Sequence, residues 1–117
     1  MKLTITSSGI RVGDELRAYV ARRLAFAFGR FGPLLRHVAV RLTDLNGPRG
    51  GVDKACALAV TLEPANVVRV TQRNRSVQSA VDVAVERAAV AVARELGRRR
   101  DLRRSIWRRR PLPLAGD

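Results

Sequence analysis

The side chains that most often perform catalysis are few in this sequence, and their spacing does not favour an enzyme. His37 is the only histidine, and no Ser-His-Asp or Cys-His set can be assembled around it. Cys56 is the only cysteine, so it cannot form an internal disulfide. Because it alternates with Leu58 and Val60, we interpret it as a small buried hydrophobic residue of a strand. We therefore expect no catalytic residues and no enzymatic activity.

Two further patterns resemble ion-binding sites but lack essential parts. Asp44 and Asp53 flank a glycine-rich segment at residues 46–51, yet the neighbouring Arg49 and Lys54 argue against a bound cation. The segment also lacks the Lys-Ser/Thr pair and the following helix of a phosphate-binding loop. We expect no metal, no cofactor and no small-molecule substrate.

Arginine is the residue type whose abundance and position favour a function. The chain has 23 basic and 10 acidic residues, a net charge of +13, and every basic residue except Lys2 and Lys54 is arginine. Because charge of this size repels itself, a polyanionic partner is expected. Guanidinium groups pair with phosphates and stack on bases, which favours RNA, although a GC-rich genome would produce the same arginine bias without a function.

The positions of the arginines predict which of them contact RNA. Arg87, Arg94 and Arg98 fall on one flank of a predicted second helix, at about 100° per residue, while Asp82 and Glu86 fall on the opposite flank. The other predicted RNA-binding residues from charge patterning are Arg22, Arg23 and Arg30 around the first helix, and Arg99, Arg100, Arg103 and Arg104 in a C-terminal cluster. Two parallel basic rows are predicted to frame a groove, the alternative being that these arginines only keep the protein soluble.

Hydrophobic periodicity predicts the elements that position these arginines. Strands are predicted at residues 2–6, 38–42, 56–62 and 67–72, where apolar residues alternate or recur at strand length. A first helix is predicted from residue 13 to 28, and a second, capped by Asn74 or Ser76, to about Gly97 or as far as Arg104. The order β-α-β-β-β-α predicts an α+β fold, a four-stranded sheet with two helices packed on one face.

The chain is predicted to divide into a domain at residues 1–104 and a basic, proline-containing, disordered tail at residues 105–117. Trp107 in this tail could stack on an unpaired base or fold back onto the sheet or helix edge. No apolar run is long enough for a membrane span, and the first residues are too polar for a signal peptide. We expect a cytoplasmic protein that is monomeric when free.

Short motifs spread over residues 1–104 resemble the ribosome hibernation promoting factor family, which includes ribosome-associated inhibitor A and sigma-factor modulation proteins. They are MKLTIT at residues 1–6, ELRAYV at 15–20, GVDKAC at 51–56 and AVD at 80–82. The sequence departs from the family pattern at Gln78, where a tyrosine is frequent, and at Phe26 and Val90, where a basic residue is common.

The resemblance implies a fold similar to a double-stranded-RNA-binding domain, and binding to the small ribosomal subunit in the channel that tRNA and mRNA occupy. It also implies that basic positions of the second helix carry over to Arg87, Arg94 and Arg98, and those of the first helix to Arg17 and Arg23. The chain is similar to short members of the family, which lack a second, dimerising domain.

Three functions remain open from the sequence. The first is a ribosome-associated translation inhibitor that binds the small subunit through its basic helices. The second is a general structured-RNA-binding protein, which would not prefer intact subunits to naked ribosomal RNA. The third is a protein-interaction regulator of transcription, whose binding would survive nuclease treatment.

Overall fold

Four strands, two α-helices and one 3₁₀ helix form the part of the chain that the structure describes. In this computed structural model these are residues 1–45, 52–64 and 66–109, with side chains described as far as residue 105. The elements are β1 (Lys2–Ser8), α1 (Asp14–Phe28), a 3₁₀ helix (Gly29–Leu34), β2 (Leu35–Asp44), β3 (Lys54–Leu62), β4 (Asn66–Asn74) and α2 (Val77–Arg109). The predicted β-α-β-β-β-α order is therefore confirmed.

The strands form one sheet in the order β1-β2-β3-β4. Strands β2, β3 and β4 are antiparallel neighbours, the predicted meander, whereas β1 pairs in parallel with β2. A parallel pair needs a crossover connection, and α1 provides it. The register aligns Val40 with Leu58 and Leu58 with Val70, so their side chains share one face of the sheet.

The apolar face of α2 covers β3 and β4, and α1 lies beside α2 on the same face of the sheet. Period-two residues of the strands and the helical stripe of α2 meet in one core, which holds Val40, Leu58 and Val60 from the sheet. The α2 residues of this core are Ala80, Val81, Ala84, Val85, Ala88, Ala89 and Val92. Because the core lies between sheet and helices, the other sheet face stays open to solvent.

Helix α2 begins after Ser76, whose hydroxyl oxygen accepts a hydrogen bond from the Ser79 backbone N–H at 3.1 Å. This is an N-cap contact, so of the two predicted caps Ser76 is the one used. The carboxamide of Asn74 accepts instead from the Arg75 backbone N–H. The cap fixes the start of α2, which two residues separate from the end of β4.

Helix α2 ends later than the sequence predicted. It continues through Gly97 and Arg104 to Arg109, so residues 105–109, assigned in advance to a disordered tail, are helical. Arginine and leucine are good helix formers, one glycine costs about 1 kcal/mol, and the first proline after Gly97 is Pro111. The rest of the predicted tail at residues 110–117, the Trp107 side chain and the predicted mobile loop at residues 46–51 lie outside the described residues and side chains.

The β2–β3 connection is anchored by charges at its base. Asp53 is fully buried, and the Lys54 ammonium lies 3.2 Å from its carboxylate and 3.3 Å from that of Asp44. Burial of the ammonium lowers the pKa of Lys54, but its hydrogen bonds to Asp53 and Asp44 outweigh this effect and leave the pKa above its usual value. Lys54 thus takes the place that a cation between the two carboxylates would occupy.

No helix in the described ranges is long and apolar enough to cross a membrane. Across those same residues, no three His, Cys, Asp or Glu side chains converge as a set of metal ligands.

The buried thiol of Cys56 allows a direct test of the packing. Cys56 has no solvent exposure, and burial raises its pKa to about 12. Since the thiolate is the reactive form, we expect Cys56 to react with a disulfide reagent only as fast as the whole protein unfolds. The measurement is the absorbance change of the reagent in native buffer and in concentrated guanidinium. Rapid labelling in native buffer would contradict the described core.

Candidate nucleic-acid interface

The two helices are joined by a polar contact centred on Asp82 of α2. The Tyr19 hydroxyl of α1 donates a hydrogen bond of 2.5 Å to Asp82 Oδ1, and Arg23 Nε lies 3.0 Å from the same oxygen. The Arg23 N–H is not aligned to donate, so this contact is an ion pair without a hydrogen bond. The hydrogen bond to Asp82, followed by burial, raises the pKa of Tyr19. Arg23 is therefore held by the fold.

The α2 basic flank, defined as Arg87, Arg94 and Arg98, has all three side chains exposed. Arg87 donates hydrogen bonds to the Thr71 carbonyl at 3.0 Å and to the Gln72 side-chain oxygen at 2.8 Å. Both acceptors belong to β4, so the flank lies on the side of α2 that faces the edge of the sheet, away from α1.

This orientation corrects the predicted groove between two basic rows. The cleft between α1 and α2 is lined on one side by residues of α1 and the 3₁₀ helix and on the other by residues of α2. They are Arg23, Phe26, Ala27 and Arg30 on the first side and Val85, Glu86, Ala89 and Val90 on the second. Only the α1 side of this cleft is basic, because the α2 residues turned toward α1 include the acids Asp82 and Glu86. The arginines of the α2 basic flank lie on a different side of the helix from this cleft.

Glu95 organises the arginines in the second half of α2. Its carboxylate accepts a hydrogen bond from the Asn66 carboxamide of β4, pairs with Arg98, and lies 3.6 Å from Arg99 Nε. Arg99 also donates to the backbone carbonyl of Glu63 at the β3–β4 turn. Arg98 and Arg99 thus have intramolecular acidic partners, and Arg99 ties α2 to the sheet.

The remaining predicted residues of α2 are Arg94, Arg100, Arg103 and Arg104, all of them exposed. None of the ion pairs formed within the described part of the chain includes them. At about 1.5 Å rise per residue, the stretch from Arg94 to Arg104 is about 15 Å long. The four arginines have no partner among the described carboxylates, which suits contact with phosphates.

The predicted residues of the first helix do not form a single surface. Arg17 and Arg22 are exposed, and Arg17 lies about 120° around α1 from Arg23. Arg30 follows the end of α1, where its guanidinium carbon lies 4.8 Å from the centre of the Phe31 ring. Its exposed charge is therefore fixed near an aromatic ring rather than beside Arg17.

The open face of the sheet is also basic, but its basic residues take part in none of the ion pairs described above. It carries Lys2, Arg41 and Arg69, the last two aligned with Ala57 and Ala59 of β3. His37 lies on this face, with its Nε2 atom 2.8 Å from the Thr4 hydroxyl. His37 therefore has a hydrogen-bond partner on the neighbouring strand of the sheet.

Sequence reasoning missed the residues that hold the arginines in place. Glu95 precedes Arg98 and Arg99 by three and four positions, a spacing that predicts helical ion pairs and could have identified it. Glu63 and Phe31 gave no such signal, because their contacts join segments far apart in the chain.

Comparisons with known proteins identify both a family and a fold. The family described as "Sigma 54 modulation protein / S30EA ribosomal protein" matches residues 3–100. The Thermus thermophilus Protein Y N-terminal domain is 24% identical, with a TM-score of 0.67 over 80% of this chain and 98% of that one. A ribosomal subunit interface protein from Coxiella burnetii is 14% identical, with a TM-score of 0.66 over 83% and 99% of the two chains. No curated protein sequence matches the chain significantly.

The Tyr19–Asp82 hydrogen bond predicts a pH-dependent contribution to stability. Because the folded state raises the pKa of Tyr19, the contribution is complete below the unfolded pKa of about 10 and is lost as pH rises through the folded value. We expect Tyr19→Phe to lower the free energy of unfolding by about 1 kcal/mol near neutral pH. Urea unfolding of both proteins gives this difference.

The difference between the wild type and Tyr19→Phe should shrink as the pH rises above about 10. Lys54 and Cys56 titrate in both proteins, so their effects cancel in the comparison. A difference that stays constant across this pH range would contradict the assigned hydrogen bond.

Proposed function

Because the chain belongs to the Sigma 54 modulation protein / S30EA ribosomal protein family, we propose that it is a ribosome-associated translation inhibitor. It binds the small ribosomal subunit in the channel that tRNA and mRNA occupy, and so keeps idle ribosomes silent. Its basic helices supply the contacts to ribosomal RNA. The protein acts by binding alone and needs no cofactor.

One observation carries this proposal beyond family membership. The exposed arginines Arg94, Arg100, Arg103 and Arg104 lie along one continuous helix and have no described acidic partner. Neutralising such charges with phosphates releases counterions, which drives binding to RNA. A backbone that is already helical has less conformational entropy to lose on binding than an unfolded segment.

The fold supports the same partner. The relative from Coxiella burnetii is described as a ribosomal subunit interface protein, and it shares this fold over most of its length. A small α+β domain that presents a helix can enter a groove or channel of structured RNA and recognise its shape. Shape recognition would make the assembled subunit a better partner than free RNA.

A second candidate is a general structured-RNA-binding protein. It is favoured by the position of Arg103 and Arg104, which lie past residue 100, where the family match ends. Charge at these positions would attract any RNA, and it would do so without preference for a ribosome.

The two candidates differ in their preference for assembled subunits. We expect the protein to cosediment with purified small subunits in the presence of a molar excess of naked ribosomal RNA, because the folded channel adds shape to charge. The measurement is the fraction of protein that pellets with subunits in a sucrose gradient. Equal distribution between subunits and naked RNA would support general RNA binding, and pelleting that survives nuclease treatment would support a protein partner.

Charge reversal distinguishes the α2 basic flank from bulk charge. We expect the double variant Arg94→Glu and Arg98→Glu to weaken subunit binding by about 100-fold or more, since each arginine contact to a phosphate contributes about 1.5–3 kcal/mol. The matched control is Arg41→Glu with Arg69→Glu on the open sheet face, which changes the net charge equally. Fluorescence anisotropy of labelled protein gives both affinities.

The salt dependence of binding gives a second reading of the same variants. Losing two phosphate contacts should reduce the slope of log affinity against log salt concentration by about 2, whereas the sheet-face control should keep the wild-type slope. Equal losses of affinity and slope in both variants would show that only the net charge matters.

A further inference from the structure

A groove opens at the second half of α2, next to the contacts of Arg30 with Phe31 and of Arg99 with Glu63. It lies between α2, the 3₁₀ helix and the β3–β4 turn, and has a volume of about 730 Å³. Its apolar lining is Phe31, Leu34, Pro64, Ala93, Leu96 and Gly97, and its charged lining is Arg30, Glu63, Arg99, Arg100 and Arg103. The groove therefore combines an apolar floor with a rim of guanidinium groups.

The floor is open because of two residues. Leu34 keeps 43% of its surface exposed, although it lies beside the buried Phe31. Gly97 has no side chain, and a Cβ there would meet only the end of the Arg100 side chain, at 4.0 Å. A Cβ atom therefore fits at this position, and the space above Gly97 is part of the groove.

The charges of the groove are unequal because its one acid is already paired. The Glu63 carboxylate forms an ion pair of 2.9 Å with Arg36, and its backbone carbonyl accepts from Arg99. Arg100 and Arg103 belong to none of the ion pairs within residues 1–45, 52–64 and 66–105, and Arg30 contacts the Phe31 ring.

Two other acids of this part of α2, Glu95 and Asp101, do not line the groove. Asp101 follows Gly97 by one helical turn, about 40° around the helix from it and about 160° from Arg103. Arg30, Arg99, Arg100 and Arg103 thus give the rim of the groove a net positive charge, which Glu63, the one acid of its lining, offsets only in part.

We propose that this groove binds one unpaired nucleotide of RNA. The base lies on the apolar floor against the exposed Leu34 and above Gly97, and Arg30, Arg100 and Arg103 bind its phosphates. A nucleotide joins a flat, weakly polar base to an anion, which matches an apolar floor with a cationic rim. An acidic protein segment would match the rim but would leave the floor without a partner. The inference rests on the proposed RNA binding and adds to it a specific contact with an unpaired base.

Two hairpin RNAs of equal length, one fully paired and one with a single bulged nucleotide, test the proposal. Burial of the apolar surface of one base against the floor predicts that the wild type prefers the bulged hairpin by about tenfold. We expect Gly97→Leu, which fills the floor without changing charge, to reduce this preference to less than about twofold. Affinity for the paired hairpin should stay unchanged, and circular dichroism checks the helix.

A matched pair of charge variants separates the rim from the rest of α2. Arg100→Gln with Arg103→Gln should also lose the preference for the bulge. Arg94→Gln with Arg104→Gln removes the same charge outside the groove, so it should weaken binding of both hairpins and keep their ratio. Fluorescence anisotropy of labelled hairpins measures all of these affinities.

Three outcomes would overturn the proposal. The wild type would bind both hairpins equally, Gly97→Leu would keep the full preference, or a labelled polyglutamate peptide would bind and lose affinity in Gly97→Leu, which indicates a protein partner. Each of these can occur while the protein still binds small subunits. Loss of subunit binding by the wild type would instead contradict the proposed function.

Discussion

The packing of α2 along β3 and β4 is the contact on which the rest of the structure depends. Alanines and valines of α2 meet Leu58, Val60 and Val70 of the sheet, and this face fixes the rotation of the helix about its axis. Every other side chain of α2 then has a determined direction. Asp82 turns toward α1, Glu95 reaches Asn66, and Arg94 faces solvent. The apolar core therefore decides how the charged surface is arranged, although it contributes no charge.

The acidic residues are few, but three of them have specific structural roles. Asp82, Glu63 and Glu95 each hold at least one arginine in a defined place, through ion pairs or through neighbouring carbonyl groups. Exposed ion pairs contribute little to stability, so their main effect is to select conformations of long side chains. Among the described arginines without an ion-pair partner, Arg94, Arg100, Arg103 and Arg104 lie in the second half of α2, and others are spread over α1 and the open sheet face. Much of the positive charge of the chain is therefore not engaged in ion pairs within the fold.

The predictions from sequence succeeded where a regular pattern repeats and failed where a single contact decides. Alternation along β2 and β3 and the apolar stripe of α2 gave the element order correctly, since periods of 2 and 3.6 residues follow from backbone geometry. The predicted end of α2, at about Gly97 or as far as Arg104, was too early, because one glycine is tolerated in a helix and the arginines up to Arg109 are good helix formers that precede the first proline. The prediction of a groove framed by two basic rows was wrong, because residue spacing on one helix does not reveal which of its flanks faces the neighbouring helix.

The sequence by itself determined the class of fold, the excess of arginine and the common flank of Arg87, Arg94 and Arg98. These properties are local or compositional, so they can be read from residue types and spacing. Only the tertiary structure decided that this flank faces β4, that Arg23 and Arg99 are held by contacts within the fold, and that Arg30 meets Arg100 and Arg103 across an apolar floor. The physical reason is that these contacts join segments far apart in the chain, and the core packing that brings them together has no local signature.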